Sequence, residues 1–531
     1  MVIFIPAWYK KNEWCENEQN WHERKMHTEF DDTVKQIQLY HRNKAFEYSI
    51  CVLGFSPNFR HFLHRQGVYK APYFSVFDAI NECESKRARV FSFHDLDWIP
   101  NTEFLYTPFV IVAMFHGRKY AQLEFGEDGN LIQIDMYEGD SVAIRNIYDD
   151  RGFVSSAIIY SENAPVYQDY YTENGTWKIR VFFDDNHVEI NPERNFYIIN
   201  LGKEPGEKIT FKKNRYESID EVISEIFNTF ISRLSENDIF CIAMHNLHNK
   251  VISDNLKGRR TVLSFFEKRY NLEDKLTMLM LNRANYIVTD SKISCDKIKD
   301  IFGDNHNNIV NITPFDTRKE IGISGQLTVQ KILVAVDNLP PENFEKLVLI
   351  FAKYFEENDK ARVCFFTREA DIALPGRLLA HARQVLEKNG YDSRMALEEN
   401  DNGTTENAVD EMEEAQVMFF VEQCVDELTA SKCIREQRLI INLSDAVNLY
   451  LQISGVSFGI PQVVSEESQY VKHGLNGQIV KRFEDLPKVL TYYLSSLNNW
   501  NNAMIQAYEI GENYTTRRLV EKWKEVLESI G

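Results

Sequence analysis

Two stretches just past the middle of the chain decide its architecture: Gly322-Ile-Ser-Gly325, and soon after it Lys331-Ile-Leu-Val-Ala-Val336. The first has the small-residue composition of a linker. The second is a continuous apolar run of strand length, the pattern of a strand buried on both faces of a parallel sheet. A buried strand after a linker opens a new series. Beyond it, helices are expected over Phe344–Glu356, Arg377–Lys388 and Ala430–Arg435, and strands over Val363–Thr367, Val417–Val421 and Leu439–Asn442. Two helices, near 498–510 and 515–529, close the chain. On the other side of the linker the same alternation is found. Strands are expected at Val2–Ile5, Tyr48–Leu53, Val90–Phe93, Ile239–Ala243 and Tyr286–Thr289, with helices at Asp31–Arg42, Phe74–Lys86, Ile219–Leu234, Glu273–Ala284 and Cys295–Phe302. Strands alternating with helices give parallel, doubly wound sheets, so the chain carries two such halves.

The first series is interrupted. From about 104 to 200 helical periodicity vanishes, and short Val-, Ile-, Tyr- and Phe-rich runs are divided by Glu127-Asp-Gly-Asn130, Asn174-Gly175, Asp184-Asp-Asn186 and Asn191-Pro192. Turn residues at that spacing describe antiparallel hairpins. The expected division is therefore an N-terminal Rossmann-like domain from 1–103 and 201–320, a β-rich insertion at 104–200, a C-terminal Rossmann-like domain at 326–505, and a terminal helix at 506–531. The segment 398–414 holds eight acids and one glycine and reads as a solvated loop.

Composition narrows the function. The 531 residues are 44% hydrophobic and carry a formal charge of −19, enough apolar material for several cores. The acidic balance argues against nucleic acid as a partner, because phosphate backbones would repel it. Eight scattered cysteines contain no CxxC, so neither a zinc ribbon nor a disulfide framework is expected, and the default is buried, reduced thiols. The apolar start Met1–Tyr9 lacks a basic n-region and reads as a strand rather than a signal peptide. The longest apolar run, Phe109–Phe115, is too short to span a bilayer. No Walker A motif occurs, which excludes a P-loop motor.

Some segments resemble known proteins. Arg283-Ala-Asn-Tyr-Ile-Val-Thr-Asp-Ser291, then Ser454-Gly-Val-Ser-Phe-Gly-Ile-Pro-Gln-Val-Val464 and Val471-Lys-His-Gly-Leu-Asn-Gly-Gln-Ile-Val480, resemble the signature of the GT-B glycosyltransferases. Trp500 through Trp523 is similar to that superfamily's closing helices, the last of which crosses back onto the first domain. The resemblance implies two Rossmann-like domains facing a cleft, with the β-rich insertion in the first. It also shows a loss. A retaining member stabilises its departing diphosphate with an Arg and a Lys after the first strand of its second half. Here that stretch is Asp337-Asn-Leu-Pro-Pro-Glu-Asn343, with Asn338 and Asn343 in the cationic slots. The two donor-binding glutamates fall on Ala446 and Ser454. The adjacent Asp445 is better read as a helix N-cap.

Met1-Val-Ile-Phe-Ile-Pro-Ala-Trp-Tyr9 and Phe30-Asp-Asp-Thr-Val-Lys-Gln36 narrow the resemblance to one family. It is the first of the accessory Sec proteins of Gram-positive bacteria, which help export serine-rich-repeat adhesins. The resemblance implies a non-catalytic, glycosyltransferase-like adaptor without cofactor. Its partners would be two companion accessory Sec proteins, the accessory Sec ATPase motor and the adhesin. It would sit in the cytoplasm, peripheral to the membrane through those partners. Two alternatives stay open: an active transferase with a divergent donor site, and a module recognising the adhesin's glycans.

A few aromatic and histidine residues are candidate contacts. Trp8 and Tyr9 follow the first strand, where this fold often has a glycine-rich phosphate turn; they either pack in the core or stack on a sugar. His94, in His94-Asp-Leu-Asp97, is expected at the carboxyl edge of the Val90–Phe93 strand. His245 and His248 follow the Ile239–Ala243 strand, but the pattern is not HExxH, and no metal is expected.

Overall fold

The computed structural model describes residues 1–530 except 11, 17, 23–27, 45, 203–204, 268, 303–307, 319, 397–416 and 445–447. The acidic segment 398–414 and the donor slot Ala446 lie outside the described residues. Contacts divide the chain into two compact units. One is Met1–Asp290 with Asn305–Val310 and Glu525–Gly531; the other is Ser291–Asp304 with Asn311–Lys524.

The first unit holds a seven-stranded sheet. Its order is Ile309–Asn311, Tyr286–Thr289, Arg260–Phe265, Ile239–Ala243, Val2–Ile5, Tyr48–Val52, Tyr73–Ser75. Every register resolved in it is parallel, from Val2↔Ile239 on one side of the first strand to Val2↔Tyr48 on the other. Chain order therefore reverses between Val2–Ile5 and Ile239–Ala243, where doubly wound folds place their ligands. The central strands are buried on both faces, which explains their unbroken apolar runs. Helix Ile219–Ile231 covers one face with Val222, Ile223, Ile226, Phe227 and Phe230, all on one stripe at helical spacing. Phe230 stacks on Phe74 of the edge strand with ring centroids 4.1 Å apart.

The second unit repeats the plan with six parallel strands, ordered Phe419–Gln423, Ala361–Thr367, Gln330–Ala335, Leu439–Asn442, Gln462–Val464, Gly477–Ile479. Here the reversal lies between Gln330–Ala335 and Leu439–Asn442. Helix Pro341–Glu357 sets Phe344, Leu347, Val348, Phe351 and Phe355 against Val363, Phe365 and Phe419. The Gly322–Gly325 stretch is not a free linker. The Gly322 and Ile323 amides donate to the carbonyls of Phe458 and Arg435, at 3.1 and 2.9 Å. A Cβ on Gly322 would stand 3.2 Å from that Phe458 oxygen, a tight contact, so glycine suits the strap's close approach.

Between the first unit's third and fourth parallel strands lies a ten-stranded antiparallel meander. It runs from the edge strand Glu103–Tyr106 to Trp177–Phe182 and Val188–Ile190, with Arg215–Tyr216 as the far edge. The antiparallel pairing thus extends past residue 200. A buried ion cluster holds it to the parallel layer. Asp150, in the turn after strand Ser141–Asp149, accepts from the amides of Arg60 and His61 at 2.9 and 3.1 Å, capping helix Phe59–Arg65. The Arg60 guanidinium reaches Asp150 at 2.5 Å and Asp149 at 3.4 Å, and Arg151 pairs with Asp78 at 2.8 Å. All of these side chains are under a tenth exposed. Such a group is stable only while every charge keeps its partner.

Two expectations fail in the same place. Val90–Phe93 is not a strand; a single 3-10 turn, Phe93–Asp95, stands there. The third strand is Tyr73–Ser75, which overlaps the start of the helix expected over Phe74–Lys86, and that helix shrinks to Val76–Ile80 with Ser75 as its cap. The reason is tertiary. Phe91 and Phe93 bury their rings on the meander, beside Tyr148, Phe104 and Phe125, so their alternation serves a face rather than an edge.

Candidate functional site

Doubly wound folds hold ligands at the carboxyl ends of strands where the strand order reverses, and each half of the chain has one such reversal. In the first unit the residues there are Trp8 and Tyr9, after Val2–Ile5, and His245 and His248, after Ile239–Ala243. Tyr9 is buried, and its hydroxyl lies 3.0 Å from His248 Nδ1. His248 Nε2 lies 2.7 Å from the carbonyl of Ala243, which can only accept. The proton is therefore on Nε2, and Nδ1 accepts from Tyr9. His248 is fully buried, and burial pushes its pKa down to about 3. His245 caps helix Asn246–Asn255, its Nδ1 accepting from the Leu247 amide at 3.2 Å; burial, with Arg269 nearby, brings it to about 4. Both imidazoles are neutral at pH 7. His248 is spent on two structural hydrogen bonds, and at His245 the same is true of Nδ1.

The ring of Tyr9 occupies the space a phosphate turn would leave open. It packs so closely that a Cβ on Gly54 would stand 3.1 Å from its Cε1. Trp8 points elsewhere: its indole ring lies 4.7 Å from Phe62, and its Nε1 donates to Asp31 at 3.0 Å. Of the two roles open to Trp8 and Tyr9, core packing is the one the geometry provides.

Behind Trp8 is a polar group that the sequence reading did not assemble. Arg269, after strand Arg260–Phe265, spans Asp31 and Asp32 at 2.6 Å each. Ser264 donates to Asp32 at 2.5 Å, and Gln36 donates to Ser264 at 3.1 Å. Desolvation opposes the charge of Arg269, but Asp32 and Asp31 outweigh it and hold the guanidinium above its ordinary value. The cation is thus committed to two carboxylates, and two of its nitrogens are taken. The aspartates stand in the Phe30–Gln36 stretch singled out above. No spacing rule connects them to an arginine 237 positions later.

His94 does not belong to this site. It sits on the 3-10 turn against the meander, its ring 5.3 Å from Phe104 and its Nε2 3.3 Å from the Tyr106 hydroxyl. The carboxyl-edge placement expected for it fails with the Val90–Phe93 strand.

The second unit's reversal point carries Asp337, Asn338 and the start of helix Pro341–Glu357. Asp337 turns back to the sheet, accepting from the Thr367 hydroxyl at 2.5 Å and the Arg368 amide at 2.9 Å. Asn338 is exposed, with φ of 58°. A helix N-terminus here would ordinarily present free amides to a phosphate. Pro340 and Pro341 have no N–H, Glu342 adds a negative charge, and the amides of Asn343 and Phe344 both point to the Pro340 carbonyl, at 2.9 and 3.0 Å. Asn343 accepts from Lys346 at 3.4 Å. Ser454 is buried inside helix Leu449–Phe458, which is capped by Asn448. Among the described residues, Asp184, Asp185 and His187 are the one carboxylate–imidazole group close enough to share an ion. They form an exposed hairpin turn far in sequence from both reversal points.

The model of the family described as accessory Sec system protein 1 matches residues 1–530. The accessory Sec system protein 1 of Streptococcus gordonii is 31% identical over 99% of each chain. A crystal structure of accessory secretory proteins 1, 2 and 3 in Streptococcus pneumoniae contains a chain 26% identical, with a TM-score of 0.80, covering 100% of this chain and 99% of that one. The pneumococcal O-GlcNAc transferase GtfA, solved with UDP and GlcNAc, has a TM-score of 0.69 at 11% identity, covering 100% and 99%. That likeness establishes the GT-B-like fold. Among the described residues no helix is long and apolar enough to cross a membrane.

Proposed function

Because the chain belongs to the accessory Sec system protein 1 family, we propose that it is a non-catalytic, glycosyltransferase-like adaptor in the export of serine-rich-repeat adhesins. It works in the cytoplasm at the membrane face, with two companion subunits, and delivers the adhesin to the accessory Sec ATPase motor. The solved assembly of three accessory secretory proteins from Streptococcus pneumoniae supports the companion subunits. The observation that carries the non-catalytic reading is the start of helix Pro341–Glu357. Two prolines, Asp337 and Glu342 stand where a nucleotide diphosphate would need amides and cations. Asn338 and Asn343 supply no charge, and Ser454 no carboxylate. In this reading the last helix returns to the first domain, which the grouping of 525–531 with residues 1–290 supports.

Titration of the purified chain with UDP and UDP-N-acetylglucosamine by calorimetry tests the loss of chemistry. No saturable heat is expected up to millimolar ligand, and micromolar binding would overturn it. Co-expression with the two companion subunits tests the adaptor role. One stable co-purifying complex is expected, and three separate proteins would refute it.

A further inference from the structure

Three of the eight cysteines converge in the second unit. Cys364 lies on the fully buried strand Ala361–Thr367. Cys424 directly follows the neighbouring strand Phe419–Gln423, its amide donating to the Thr367 carbonyl at 2.8 Å. Cys433 lies on helix Glu427–Arg435. The sulfurs of Cys364 and Cys433 are 3.9 Å apart, and Gln437 Nε2 lies 3.8 Å from the Cys433 sulfur. Cys364 and Cys424 are buried, whereas Cys433 is only half-buried.

We infer that Cys433 is a peroxide-reactive thiol and that Cys364 resolves it, joining the second sheet to helix Glu427–Arg435 through a reversible disulfide. Three features of the geometry support this. A reactive thiol needs access and hydrogen-bond donors to its thiolate; Cys433 is the least buried of the three, and Gln437 Nε2 faces its sulfur. A resolving thiol must be close but shielded, as Cys364 is. Hydrogen bonding with the thiols of Cys364 and Cys424 favours the Cys433 thiolate and lowers it below the ordinary thiol range, while Cys364 is held above that range. The charged groups nearby are Lys331, paired with Glu436 at 2.6 Å, and the carboxylates of Glu422 and Asp426.

The chemistry balances. The Cys433 thiolate attacks one oxygen of hydrogen peroxide, the O–O bond breaks, and sulfenic acid and hydroxide form. The Cys364 sulfur then attacks the sulfenic sulfur, the S–O bond breaks, and its thiol proton leaves with the hydroxyl as water. A small dithiol reverses the step.

The test uses the full-length protein, first reduced and then treated with one equivalent of hydrogen peroxide. Loss of two hydrogens from the intact mass is expected, with a Cys364–Cys433 linked peptide in the non-reducing map, both reversed by dithiothreitol. In the untreated protein at pH 7, Cys433 should alkylate at least about tenfold faster than any other cysteine. Cys364→Ser should abolish the link and leave a dimedone-reactive Cys433, and Cys424→Ser should leave the link intact. Absence of the linked peptide, a link through Cys424 instead, or an unreactive Cys433 would each overturn the inference. If Cys364→Ser does not fold, the map of the unaltered protein still decides.

Discussion

The two reversal points share a plan and differ in the residues that occupy them. In the first unit, space is removed: Tyr9 fills it, His248 anchors Tyr9, and Arg269 is locked between Asp31 and Asp32. In the second unit, space is not the issue. The helix start has lost its amides to Pro340 and Pro341, and its charge is acidic. The first closure is built from buried, mutually dependent contacts, the second from exposed residues with few contacts. The two reversal points therefore differ in what their residues contribute to stability.

That difference is open to measurement. The largest effect is expected from Arg269→Met, which leaves Asp31 and Asp32 facing each other without a cation. Urea unfolding should report a loss of about 3–5 kcal/mol, and a loss under about 1 kcal/mol would mean that the cluster is not structural. Next comes the pH dependence. His248 is held at about 3 against an ordinary 6.5, so the folded chain binds fewer protons than the unfolded one between those values. Stability is full above pH 6.5 and falls as acid is added. His248→Gln should remove about 1.4 kcal/mol per pH unit from the slope of that acid limb between pH 4 and 6; an unchanged slope would show that His248 is not the titrating group.

Tyr9→Phe should cost about 1–3 kcal/mol, because it strips the buried Nδ1 of His248 of its donor while keeping the ring. The smallest effect belongs to the second unit. Asn338→Gly should change stability by less than about 0.5 kcal/mol, since glycine accepts the left-handed backbone at no steric cost. Asn338→Val, at the same angle, should cost about 1–2 kcal/mol. A large loss in Asn338→Gly would erase the contrast between the two closures.

The candidate site was only partly legible in the chain. Asn338 and Asn343 could be placed because they sit a fixed number of residues after an apolar strand, and strand-to-helix spacing is local. Tyr9 and His248 could be named as neighbours of strand ends, but their hydrogen bond spans 239 positions and has no periodic trace. His94 was misplaced for a related reason. A Phe-x-Phe alternation states that two rings share a face without stating which surface that face meets.

What the sequence determined by itself was the class of each element and the number of layers. Apolar runs of strand length, helical stripes such as Phe344–Phe355 and glycine-bearing hairpin turns depend on backbone geometry, which repeats every two or 3.6 residues. Composition also showed that the stretch 337–343 after Val336 holds no Lys or Arg. The tertiary structure alone decided which strand ends became neighbours. It let Asp150 cap a helix 90 residues earlier, placed Arg269 between two aspartates and brought three thiols from three elements together. Those pairings follow from the order of strands in the sheets and from burial, which exists only once distant segments exclude water together.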